Sequence, residues 1–220
     1  MSDQTTLTLI RHGESYANIE HIVECYTCRG LTPHGQAQVA TLADRFRTGA
    51  ERYDVLVAST LTRARMTAEQ LAPVLGLAVE WDDDLHELRV GVADGMRYAD
   101  VSQQYPQFDR GIIDVHQHVA PGGESWNLFA ARVAGALDRI TTTHKGRRIA
   151  VVCHGGVIEA SFLWALDLSA GVRRRVSFPA KNTALTTWVE RASPHDGRRE
   201  WQLVRHNDAV HLTATFPETA

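Results

Sequence analysis

Three short segments of this 220-residue chain hold residue types suited to chemistry on an anion. They are Arg11-His12-Gly13-Glu14-Ser15, Ser59-Thr60-Leu61-Thr62-Arg63 and His154-Gly155-Gly156. Each follows an apolar run and precedes a stretch with helical spacing, so each reads as a turn from strand into helix. In open α/β sheets, ligands sit beyond the carboxyl ends of the strands. Helix N-termini there offer free backbone N–H groups and a positive dipole end, which suit an anion. Two histidines and two arginines are therefore expected to converge on one anion site. A neutral imidazole, with a reference pKa of about 6.5, is a good nucleophile at neutral pH. Phosphoryl transfer needs charge stabilisation on the equatorial oxygens and in-line geometry. Arginine supplies planar, bidentate donors for those oxygens. A departing alkoxide needs a proton, and Glu87, in Leu85-His86-Glu87-Leu88, is the candidate acid.

The elements that must position these residues alternate between strand and helix, the pattern of an α/β sheet. Thr6 to Ile10 reads as the first strand. Thr32-Pro33 then starts a helix, with proline at the first helical position and Val39, Leu42 and Phe46 at helical spacing. Asp54 to Ala58 is a second strand, Arg63 to Leu75 a helix, and Leu77 to Trp81 a short third strand. Arg97 to Gln117 is mixed and polar, so residues from about 97 to 120 form a lid or insert in an otherwise single domain. A helix from about Gly123 to Thr142 presents Phe129, Val133, Leu137 and Ile140 on one face. Arg148 to Cys153 is a strongly apolar strand and Gly155 to Leu166 a helix. Thr183 to Val189 and Trp201 to Arg205 close the chain as strands, with Ser193 to Gly197 as the turn between them.

The bulk properties set limits on partners. The chain is 44% hydrophobic and 22% charged, ordinary for a soluble globular protein. A net charge of -3 argues against a nucleic-acid or membrane-surface protein. Apolar Leu7 to Ile10 runs straight into Arg11, too short for a signal-peptide core. Three cysteines are an odd count, which disfavours a disulfide framework and points to a reducing, cytoplasmic setting.

Taken together, the motifs resemble the histidine phosphatase superfamily, in its phosphoglycerate-mutase-like branch. Leu9-Ile10-Arg11-His12-Gly13-Glu14-Ser15 with Asn18 resembles the family signature. Leu31-Thr32-Pro33-His34-Gly35-Gln36-Ala37 is similar to its helix start. Ser59 to Ala64 with Thr67-Ala68 is similar to its second arginine motif. Glu87 with Gly91 and Asp94-Gly95 resembles its acid motif. Pro121 to Ser125 with Arg132, then Val152 to Gly156, complete an ordered set across roughly residues 6 to 190.

The resemblance implies a three-layer α/β/α sandwich around a mostly parallel sheet, with a short lid insert. It implies that His12 carries the phosphoryl group. Arg11, Arg63 and His154 would hold its oxygens, with Asn18 assisting and Gly155 at the binding turn. Glu87 would serve as acid in the first half-reaction and base in the second. The partner so implied is a small-molecule phosphate ester, with no cofactor and no metal. A homodimer is compatible with the sequence.

Within the family, the phosphatase reading leads over mutase-type phosphoryl transfer and over a non-catalytic phospho-ligand-binding regulator. Mutases usually carry Arg and Tyr shortly after the catalytic Glu, where this chain has Leu88 and Val90. They carry a Gly-Trp-x-Asp stretch where this chain has Cys25-Tyr26-Thr27-Cys28, and a longer, proline-rich insert. The regulator reading fits least, because every expected catalytic position is filled.

Other residues have plainer readings. Cys25 and Cys28, near His21 and His34, lack the second cysteine pair of a structural zinc site, so ordinary loop residues are the default. Cys153 reads as a buried small hydrophobe. His116 and His118 share a face if their stretch is extended; the default is two solvated lid residues, the alternative a substrate clamp. Arg173 to Arg175 reads as a solvated face, with anion binding as the alternative. Tyr98, Gln104, Phe108, Arg110, His116 and His118 are the lid residues expected to set specificity.

Overall fold

The computed structural model describes residues 4–49, 51–108, 114–193 and 195–213. In chain order the strands are β1 (Thr6–Arg11), β2 (Val55–Ala58), β3 (Val79–Trp81), β4 (Arg148–Cys153), β5 (Leu185–Ala192) and β6 (Arg199–Asp208). The helices are α1 (Tyr16–Glu20), α2 (Pro33–Thr48), α3 (Thr62–Leu75), α4 (Tyr98–Gln104), α5 (Trp126–Thr143), α6 (Gly155–Ala165) and α7 (Val210–Thr213). The strands form one sheet in the order β3-β2-β4-β1-β5-β6. The β3–β2, β2–β4 and β4–β1 pairings are parallel, and β5 runs antiparallel to both β1 and β6.

Strand periodicity separates the two faces. Leu7 and Leu9 of β1, with Ile149, Val151 and Cys153 of β4, pack against Phe129, Val133 and Leu137 of α5 and Val157 and Ile158 of α6. The alternate residues Ile10, Ala150 and Val152 pack against Val39, Leu42 and Phe46 of α2 and Leu71 of α3. A side-chain period of two sends neighbouring residues to opposite faces, and each face is covered by helices. This is the expected α/β/α sandwich. It also creates a crevice. The chain leaves β1 for α2 on one face, but leaves the neighbouring β4 for α6 on the other face. Beyond the carboxyl ends of β1 and β4 the helices diverge, the usual place for a ligand in such a sheet.

Several boundaries moved for local reasons. β3 starts at Val79 because Gly76, at a φ of 67°, turns the chain out of α3. α5 starts at Trp126 because the Ser125 hydroxyl accepts from the Leu128 N–H at 3.2 Å and caps it. The β5–β6 hairpin extends to charged pairs such as Arg191 and Glu200, whose polarity hid the strand ends. The polar stretch after Arg97 contains α4 and a 3₁₀ turn at Pro106–Phe108. His118 bridges Ser125, and the His116 ring bonds Asn127 at 3.1 Å. Both histidines are exposed, as is Gln104, and Arg110 lies outside the described residues.

Candidate active site

His12 follows β1 directly and is 3% exposed. Its Nδ1 lies 2.7 Å from the Gly13 carbonyl oxygen. A carbonyl only accepts, so Nδ1 carries the proton. The Arg63 Nε–H donates to His12 Nε2 at 3.2 Å, so Nε2 holds the lone pair. The ring is therefore neutral with one defined tautomer. Burial, then Arg63 and Arg11, hold its pKa well below the usual histidine value. The backbone behind it is pinned as well. The Asn182 side chain and the Thr183 N–H both donate to the His12 carbonyl, at 3.0 and 3.3 Å.

Arg63, at the start of α3, is held from behind. Its Nη1 meets Glu24 Oε2 at 3.2 Å and its Nη2 donates to the Glu24 carbonyl at 3.2 Å. Arg11 Nη1 donates to the Ala180 carbonyl at 2.6 Å, while its Nε is buried with no hydrogen-bond partner. Burial lowers the Arg11 pKa, and Glu87 acts against that by raising it. His154, fully buried at the end of β4, stands with its ring centroid 5.2 Å from that of His12. Its Nε2 lies 2.8 Å from Ser59 Oγ. Ser59 Oγ also accepts from the Leu61 N–H at 3.4 Å, so the hydroxyl proton is available to His154 Nε2. The His154 Nδ1 is buried with no hydrogen-bond partner. The Arg11 Nε–H, a buried donor with no partner, is free to receive an anion. Burial, then Arg63 and His12, keep His154 neutral by pulling its pKa well below the usual value.

Glu87 is tied to the start of α6, just after His154. Its Oε1 accepts from the Leu88 N–H at 3.0 Å and its Oε2 from the Gly156 N–H at 2.9 Å. Arg132 fixes the loop that carries it. That guanidinium grips Glu124 at 2.7 Å and donates to the carbonyls of Asp84, His86 and Glu87. Gly91 lets this loop pack: its φ is 57°, and a Cβ there would lie 2.1 Å from the Pro121 carbonyl oxygen. Asn18 sits one layer back, with Oδ1 accepting from the Ser15 N–H and the Asn182 amide.

A cleft of about 690 Å³ opens over this centre, with Arg11, Glu87, Gly155 and Gly156 in its wall. His12, Arg63 and His154 lie behind that wall, and Tyr98 and Phe108 supply part of it. The structure thus brings together all the expected polar groups, with Asn18 a step removed. Sequence reasoning missed Ser59, Glu24 and Asn182 as partners. Ser59 stood in a quoted motif at a strand end; Glu24 and Asn182 come from loops with no periodic signal. Arg173 departs from the solvated reading: it is 9% exposed and lines the cleft.

Cys25 is buried, and burial pushes its thiol up to about 12. The loop around it is organised by Asp94, whose carboxylate accepts from the N–H groups of Cys25, Tyr26 and Thr27. Among the described residues, no group of three or more His, Cys, Asp or Glu side chains gathers as metal ligands.

Comparison with known proteins shows the family. Residues 7–209 match the model of the histidine phosphatase superfamily, branch 1, and the chain belongs to that family. It is 31% identical to phosphoglycerate mutase-like protein 4 of Arabidopsis thaliana, over 97% of this chain and 89% of that one. It is 31% identical to the metal-independent phosphoserine phosphatase of the same plant, over 74% of this chain and 69% of that one. A solved phosphoserine phosphatase from Entamoeba histolytica, in complex with 3-phosphoglyceric acid, superposes with a TM-score of 0.78. It shares 25% identity, and the match covers 94% of this chain and 99% of that one.

Proposed function

We propose that this chain is a phosphatase that hydrolyses small phosphate monoesters, with the phosphoryl group passing through Nε2 of His12. One observation carries the reading. The His12 Nδ1–H donates to the Gly13 carbonyl, so the lone pair of the neutral ring is on Nε2, among Arg11, Arg63 and His154. In the first step Nε2 bonds to phosphorus while the ester P–O bond breaks, and Glu87 gives its proton to the departing alkoxide. In the second step water attacks the phosphohistidine, Glu87 takes the water proton, and inorganic phosphate leaves with the nitrogen restored. Arg11, Arg63 and His154 hold the equatorial oxygens, Gly155 borders them, and Asn18 steadies the His12 turn through Asn182.

Residues from about 97 to 120 act as a lid, a reading supported by Tyr98 and Phe108 in the cleft wall. Leu88 and Val90 also line that wall, which favours hydrolysis over a mutase that must seat a charged sugar acid. The free state of Cys25, Cys28 and Cys153 supports a reducing, cytoplasmic setting.

The experiment is phosphate release from p-nitrophenyl phosphate by the purified chain in chelator, with intact-mass trapping of the phosphoenzyme. An acid-labile phosphoryl adduct in the wild type that His12→Ala lacks is the expected result. Turnover with no such adduct, or an adduct elsewhere, would overturn the mechanism.

A further inference from the structure

The cleft is far larger than a phosphoryl group needs, and its outer part has a consistent chemistry. Four rings line it: Tyr98, Phe108, Trp126 and Phe178. Each is fixed by a neighbour. Phe178 stacks on Phe162 at 4.0 Å and 4°, and Tyr98 meets Phe108 edge-on at 5.7 Å. Trp126 is covered by the Arg173 guanidinium, whose Cζ lies 3.2 Å from the ring centroid. A volume of about 690 Å³ lies in the range of sites that enclose a drug-sized ligand. A three-carbon acid or amino acid would fill little of it.

The charges point the same way. Besides Arg11 and Glu87, the described charged residues of the wall are Glu24, Glu159 and Arg173. Glu24 pairs with Arg63 at 3.2 Å. Glu159 pairs with Arg173 at 3.4 Å, with both side chains buried. Among the described residues, the one wall cation outside the phosphate centre, Arg173, thus faces a carboxylate already in place. A substrate carboxylate entering here would meet Glu159 as well as Arg173, and would have to displace a buried pair.

We infer that the alcohol half of the substrate is a bulky, uncharged aromatic group, and that the cleft discriminates against sugar-acid and amino-acid phosphates. This rests on the phosphatase reading above and assigns Trp126, Phe178 and the Glu159–Arg173 pair to specificity. Arg173 serves as a lid on Trp126 rather than as an anion receptor, and Glu159 keeps it so.

The test compares esters that all leave as alkoxides: benzyl phosphate, ethyl phosphate, O-phosphoserine and 3-phosphoglycerate. Burial of one ring in an apolar pocket predicts a kcat/KM for benzyl phosphate roughly tenfold to a hundredfold above ethyl phosphate, mostly through KM. O-phosphoserine and 3-phosphoglycerate should do no better than ethyl phosphate. Phe178→Leu should shrink the benzyl-to-ethyl ratio several-fold. Glu159→Gln, which leaves Arg173 its charge without a carboxylate, should raise the 3-phosphoglycerate-to-benzyl ratio. Turnover of ethyl phosphate at a rate equal to benzyl phosphate, or a preference for either acid, would overturn the inference and leave the hydrolase reading standing. If no ester turns over, the hydrolase reading fails instead. Calorimetric titration with benzylphosphonate and ethylphosphonate then decides the inference alone, and equal affinities would sink it.

Discussion

Gly156→Ala isolates the position of one carboxylate. A Cβ at Gly156 would lie 2.1 Å from Glu87 Oε1, 3.0 Å from its Cδ and 3.1 Å from Phe129 Cζ. Ordinary contact begins at about 3.4 Å, so Oε1 must retreat by about 1.3 Å (3.4 less 2.1). Misplacing a reacting group by about 1 Å costs on the order of a hundredfold, and general acid catalysis is worth about a hundred- to ten-thousandfold. Turnover of an alkyl phosphate should fall by roughly a hundred- to a thousandfold. A nitrophenolate leaves without a proton, so p-nitrophenyl phosphate should lose no more than about tenfold. The fold should survive, because the clashing oxygen ends a flexible side chain. The stability cost is the lost Gly156 N–H to Glu87 hydrogen bond, about 0.5–1.5 kcal/mol. Single-turnover rates on both esters, for Gly156→Ala, Glu87→Gln and the double variant, give the answer. If both act through the carboxylate, the double variant should be little worse than Glu87→Gln alone. Equal losses on the two esters for Glu87→Gln would show that Glu87 is not the general acid, and full additivity would show that Gly156→Ala acts by another route.

Other consequences are measured more simply. His12→Ala should abolish turnover with its melting transition retained; substantial residual phosphate release would remove His12 as nucleophile. Chelator should leave activity intact, since Arg11 and Arg63 supply the positive charge; loss restored by a divalent cation would reverse that. The acid limb of kcat/KM, corrected for substrate ionisation, should lie well below 6.5, because burial and two arginines keep His12 unprotonated. The same depression makes stability pH-dependent. Below about 6.5 the unfolded chain takes up protons that folded His12 and His154 refuse, so stability is present above that pH and lost as pH falls. Each contributes up to about 1.4 kcal/mol per pH unit. Denaturant melts between pH 7 and 5 should show a shallower slope for His12→Asn than for the wild type, and equal slopes would refute the assignment.

How much of this was legible depended on where a residue sits relative to periodic structure. Arg11, His12, Arg63 and His154 could be read because each stands just past a strand or at a helix start, and strand ends show up as breaks in apolar runs. Glu87 needed the spacing of its motif, because its loop has no period of its own and is held by Arg132 from a distant helix. Arg173 was misread for the same reason in reverse. In sequence it belongs to a basic triplet, and only the fold brings it against Trp126 and Glu159. The short α1 was invisible: five residues are too few for a periodic signal, and it exists because the Asn18 side chain closes back on Ser15.

The two kinds of residue meet in one requirement. A histidine that attacks phosphorus must be neutral, whereas the phosphate it attacks must be drawn in by positive charge. Exposed histidines would satisfy the first only above their ordinary pKa, and bare arginines would satisfy the second only by repelling one another. Burial at the β1–β4 crevice answers the first, since a dry site disfavours the imidazolium whatever the pH near neutrality. The Glu24–Arg63 pair addresses the second, holding one guanidinium at a fixed angle beside His12 with its charge balanced. In the proposed mechanism an arriving phosphoryl dianion draws on Arg11 Nε, a buried donor with no partner to give up. The site is therefore organised before the anion comes, so little of the binding energy is spent on rearrangement.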